Sequence, residues 1–237
     1  CEVIGSTSGQ IESNGNTLFE NFATLSLTSS IYRVIGGDST FRDSVQASLQ
    51  VSAQFSVVDG SAFFEDTASV NIGSFSTFNV TDGGAFVRDF ATIRVAHQLG
   101  QLSVTGTFSQ SDDSSVVISP GIMEVSGNFL SEDRSTLTGT NSIIVLTDDA
   151  IVNINDTAQW NLVDGEFYIV GGVGSMLLHD SASVTSFDNP SITNGNVQLH
   201  DLSVLTANQT TYVIQNGKTF YIKTTQFYTL MVHLNSL

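Results

Sequence analysis

The chain has 237 residues, 41% of them hydrophobic, which is enough for a continuous core and too apolar for general disorder. Only 13% are charged and two are proline, while Ser, Thr, Asn, Gly, Val and Phe recur throughout, a strand-and-turn composition rather than a helical one. The formal charge of −16 argues against nucleic acid and anionic membranes as partners, and no run approaches the roughly 18 to 20 apolar residues of a transmembrane segment.

Cys1 is the single cysteine, so no internal disulfide can form. It reads as a residue exposed by signal cleavage and free to pair between chains, as a lipid-modified anchor, or as incidental. Residues 1–14 contain Ser and Gly, are weakly patterned, and are expected to form an N-terminal segment or cap.

From residue 15 an internal repeat of 21 to 24 residues takes over. It aligns on Asn21, Asp43, Asp66, Asp89, Asp112, Asp133, Asp156, Asp180 and Asp201. Two positions after each of these anchors stands a small residue in all but one coil, from Ala23 to Ser203. Four positions after come Leu25, Ala47, Val70, Ile93, Val116, Leu137, Trp160, Val184 and Leu205, an unbroken apolar column. Two positions before come Phe19, Phe41, Phe64, Val87, Gln110, Ser131, Ile154, Leu178 and Leu199. Inward positions thus alternate with polar ones at period two, which predicts strands and carries that alternation through the anchor. Upstream, Phe55–Gly60, Phe78–Gly83, Leu102–Gly106 and Met123–Gly127 each read as a short strand ending in a glycine turn, the glycine supplying positive φ.

A strand this short cannot satisfy both its edges alone, but coils stacked at about 4.8 Å hydrogen-bond to one another. The expected fold is therefore all-β: a single parallel β-solenoid of about nine coils over residues 15–210, about 43 Å long. A propeller blade would need about 40 to 50 residues. The residue before each anchor reads Glu20, Arg42, Glu65, Arg88, Ser111, Glu132, Asn155, His179, His200, and the alternating charges of the first four coils are read as register control.

Residues 211–237 break the repeat, with an Asn216-Gly217 turn between apolar runs, predicting a C-terminal β hairpin and strand. A solenoid end must be capped or used. Tyr212, Phe220, Tyr221, Phe227 and Tyr228, with Lys218 and Lys223, the only lysines, make this segment a candidate assembly interface against an acidic body.

Little in the chain points to chemistry. A column of aspartates suits calcium, but a turn-forming Asp bonded to its own backbone is the commoner reason for such a column. The nearest match to a calcium-binding repeat, Gly171-Gly172-Val173-Gly174-Ser175-Met176, has Met where a ligand belongs. His179 and His200 share a column without a third ligand on their face. Asp112-Asp113 and Asp148-Asp149 are sequence neighbours, which strand alternation turns apart, so neither forms an acid/base couple. Thr-x-Thr, the pattern of an ice-matching face, is scattered rather than aligned. No catalytic residue, cofactor site or metal site is expected. Three glycosylation sequons begin at Asn79, Asn155 and Asn208.

With these columns in place, residues 15–207 resemble the parallel β-helix superfamily of extracellular proteins, which includes polysaccharide lyases, surface adhesins, autotransporter passengers and fibre-forming solenoids. The resemblance is architectural and carries no active-site motif onto this chain. The uniform coils, the missing chemistry, the aromatic terminal segment and Cys1 point to a secreted structural protein at the cell surface or outside it, a self-associating fibre subunit or surface coat rather than an enzyme. The alternative is a carbohydrate-binding adhesin or polysaccharide-active enzyme with glycan partners.

Overall fold

The computed structural model describes residues 2–6, 9–147, 150–164, 166–170, 175–186, 190–193, 196–207 and 220–222. Among these there is no helix, and every paired strand is parallel to its neighbour, as a β-solenoid requires.

Each coil contributes to three walls. The first wall stacks ten strands, from Glu2–Ser6 through Thr24–Thr28 and Gln46–Gln50 to Val204–Ala207. The apolar column from Leu25 to Leu205 lies here in exact register, so that Val70 faces Ala47 on one side and Ile93 on the other. All its members are buried except Leu205, which is partly so. The second wall holds strands such as Ile31–Ile35 and Gln54–Val58, and the third holds three- and four-residue strands such as Ser39–Phe41 and Ile151–Ile154. In two coils, Thr77–Val87 and Gln101–Gln110, one long strand turns the corner and serves both walls.

The anchors sit at the corner between third and first walls, and all nine have positive φ, between 55° and 63°. Asn and Asp tolerate this left-handed conformation best among residues with a side chain, which is why the position selects them. The left-handed residue breaks the strand's period of two: Asp66 and Thr67 are both exposed before Ala68 turns inward, so the alternation does not run through the anchor as expected. Nor do these carboxylates bond the backbone of their own turn, as expected of a turn-forming aspartate. The Asn21 N–H donates to Asp43 Oδ2 at 2.7 Å, the Asp43 N–H to Asp66 Oδ2 at 3.1 Å, and the pattern repeats up to Asp156 and Asp180. Each aspartate from Asp43 to Asp180 therefore holds the turn of the coil before it. Asp89→Ala, which removes both the acceptor and the left-handed preference, is expected to cost about 1 to 2 kcal/mol, whereas Asp89→Asn keeps both and stays close to wild type. Urea denaturation midpoints of the two variants check this.

Inside, the first coils stack phenylalanine on phenylalanine. Phe19, Phe41 and Phe64 are separated by 4.9 and 5.2 Å, and Tyr32, Phe55 and Phe78 by 5.1 and 4.8 Å, with near-parallel rings in each row. The rows meet at steep angles, as between Phe41 and Phe55 at 59°. Such pairs add about 0.5 to 1.5 kcal/mol beyond their buried area. The apolar filling is interrupted once in this column: Gln110 Nε2 donates to Ser131 Oγ at 2.8 Å, and Ser131 Oγ lies 3.0 Å from Ser135 Oγ, all three residues fully buried. Gln110 Oε1 and the neighbouring buried Ser114 Oγ have no partner among the described residues.

At the corner between second and third walls, glycines stack on glycines: Gly37, Gly60, Gly83, Gly106 and Gly127. A Cβ added to any of the last four would overlap the carbonyl oxygen of the glycine one coil earlier. The structure corrects the reason expected for two of them. Gly106 and Gly127 do have positive φ, but at Gly60 and Gly83 the left-handed residue is the preceding Asp59 or Asp82, and glycine is needed there for space.

Candidate functional surfaces

The charge column before the anchors forms discrete pairs rather than a continuous ladder. Arg42 Nη2 lies 2.5 Å from Glu20 Oε2, and Arg88 bonds Glu65. A third pair lies two positions further on, just after the anchors, between Arg134 Nη2 and Asp113 Oδ2 at 2.5 Å, and this one was not legible from the repeat. The hydrogen bonds to these carboxylates raise all three guanidinium pKa values. All three pairs lie at the surface, where screening leaves them little net value, so they act on register more than on stability. Asp113 is thereby engaged, and its neighbour Asp112 serves the anchor ladder, so the two do not work as a couple. Asp148 and Asp149 lie outside the described residues.

Among the tyrosines, burial raises the Tyr32 phenol, and a bond to Glu166 raises that of Tyr168. Neither shift creates a base at neutral pH.

His179 and His200 do come together, on adjacent coils, with ring centroids 4.5 Å apart and planes only 3° from parallel. Among the described residues, no three His, Cys, Asp or Glu side chains gather into a metal-holding cluster.

Asn79 stands on the outer side of the second wall, in register with Ser56 and Ser103, the outward slot expected for it. Asn155 is half-buried, and its amide donates to Glu132 Oε1 at 3.3 Å. Cys1, Asn208, Tyr212, Lys218, Lys223, Phe227 and Tyr228 lie outside the described residues. Phe220 and Tyr221 belong to the short strand Phe220–Ile222, which pairs in parallel with Asn196–Leu199 and so extends the third wall.

Sequence reasoning passed over the apolar side chains on the outside. Phe22 and Phe90, each just after an anchor, are 85% and 64% exposed. At the corner after the first wall, Val51 and Phe75 combine exposure with positive φ, an uncommon state for a branched or bulky residue. On the third wall Phe63 and Phe86 stack outward at 5.1 Å. Periodicity alone gave no signal for these, because they fall in outward slots that elsewhere hold Ser, Thr or Asp.

The outer face of the first wall is hydroxyl-rich, but in part bonded to itself: Thr136 Oγ1 donates to Ser115 Oγ at 3.1 Å, and in register with Thr138 stand Val117 and Asn161. That is not a uniform lattice of threonines.

No family model matches the sequence, and the curated proteins and solved structures searched give no match either.

Proposed function

We propose that this is a structural extracellular protein, a subunit of a fibre or surface coat that assembles through the ends of its solenoid. One observation carries the reading: every coil meets the next by the same rule. Three parallel strand ladders run through the described coils, reinforced by a carboxylate-to-amide ladder from Asn21 to Asp180 and a glycine column from Gly37 to Gly127. Such a stack has a stiff wall on all sides, and a strand edge at either end adds another rung by backbone hydrogen bonding. Outward phenylalanines at Phe22 and Phe90, and the Phe63–Phe86 pair, offer lateral contacts for bundling.

Secretion is part of the same proposal, supported by a single cysteine and sequons at Asn79, Asn155 and Asn208, with Cys1 available to join chains or anchor them. The C-terminal aromatics and the two lysines remain the proposed docking element, a heterologous contact that propagates as a filament if it does not close. Negative-stain microscopy and light scattering of the full chain against a 211–237 deletion test this. Filaments or ordered bundles from the full chain and dispersed folded rods from the deletion are expected. Dispersed rods from the full chain at high concentration would overturn the fibre reading, and filaments from the deletion would move the contact elsewhere.

The stacked outward Phe63 and Phe86 favour a second reading, a carbohydrate-binding adhesin, since aromatic faces also pack on sugar rings. A glycan array that stays blank with neutral and acidic polysaccharides removes it.

A further inference from the structure

The two histidines at the far end of the charge column are held on fixed backbone. The His179 N–H donates to Ile154 O and the His200 N–H to Leu178 O, each at 2.9 Å, so adjacent coils set the spacing of the rings. Both side chains are half-buried and their ring centroids are 4.5 Å apart. Among the described residues, no guanidinium or carboxylate is paired with either ring, unlike the Arg–Glu pairs lower in the same column.

A third donor stands beside them. Gln198 precedes His200 by two residues and therefore shares its outward face, and its Oε1 lies 3.4 Å from His200 Nε2. Two imidazole nitrogens and one amide oxygen form a donor set of borderline softness, suited to divalent zinc, nickel or copper rather than to calcium. The turn residues Asp180 and Asp201, next in the chain to each histidine and both exposed, add a favourable field for a cation without entering the set.

We infer that His179, His200 and Gln198 form a binding site for one divalent transition-metal ion, with water completing the coordination. Because imidazole lone pairs lie in the ring plane, binding one ion requires the stacked rings, now 3° from parallel, to rotate about their side-chain bonds until one nitrogen of each converges on it. The site bridges two coils, so the ion acts as a clip across the ladder between the strands Ser175–Leu178 and Asn196–Leu199. This inference is independent of the fibre reading.

The test is isothermal titration of the full chain with zinc, nickel and calcium chlorides, in a Cys1→Ser background that removes thiol competition. One equivalent of zinc or nickel is expected to bind. His179→Ala and His200→Ala should each weaken this at least tenfold, Gln198→Ala should weaken it less, and calcium should show no dependence on the histidines. Paramagnetic broadening by nickel should reach the His179 and His200 ring protons before those of His97 and His233. Circular dichroism spectra of the variants matching the parent exclude misfolding as the cause. Wild-type affinity in either histidine variant, or first broadening at His97 or His233, overturns the site.

Discussion

Trp160→Ala should destabilise the protein by about 3 to 5 kcal/mol, the usual range for removing a fully buried large aromatic. Trp160 is 1% exposed, with Phe129 at 4.7 Å and Phe167 at 5.7 Å, both edge-on, and it lies in register between Leu137 and Val184. The neighbours are tied into backbone ladders on all three walls, so they cannot close in on the vacated space, which places the cost toward the upper part of that range. Val70→Ala in the same column removes less and should cost somewhat less. Ser103→Ala, on the outer side of the second wall, should lie within about 0.5 kcal/mol of wild type. Urea unfolding followed by circular dichroism separates them, and an outward change as damaging as the inward ones would refute the assignment of faces.

Gly106→Ala is expected to be at least as severe, at about 3 kcal/mol or more, or to prevent folding. Two independent penalties coincide there. The φ of +131° is one that residues with a side chain rarely adopt, and the added Cβ meets the carbonyl oxygen of Gly83, a backbone atom held in the adjacent coil. Gly36→Ala is the informative control. Gly36 has φ +64° with nothing within 4 Å of an added Cβ, so it incurs only the left-handed penalty, about 1 to 2 kcal/mol. Equal midpoints for the two variants would show that the stacked carbonyl is not the obstacle.

The repeat length, the apolar columns and the turn position were legible in the sequence because a solenoid writes the same environment once per coil. Phe41, Phe55 and Val70 are buried for the same local reason that they recur. What was not legible depends on the step from one coil to the next. A periodic pattern marks Asp89 as a turn residue, but cannot tell whether its carboxylate bonds its own amide or that of Asp66. It marks Gly83 as a corner, but cannot separate a need for positive φ from a need for space. It shows alternating charges before the anchors, yet not that Arg42 commits to Glu20. For the candidate metal site, the column brought His179 and His200 to one face, while Gln198 went unremarked because amides are ordinary on outer walls.

The buried Gln110–Ser131–Ser135 group matters for more than packing. A chain of near-identical coils is ambiguous, because many misthreaded stacks would bury comparable apolar surface, with one coil looped out or two copies interleaved. If the coil of Asp112 were skipped, Val87 would stack directly on Ser131, and the Ser131 hydroxyl would lose the Gln110 amide that joins it, and through it Ser135, to the coil below. An interior position that is unlike all the others thus serves as an address, from which the chain can count its coils in only one way.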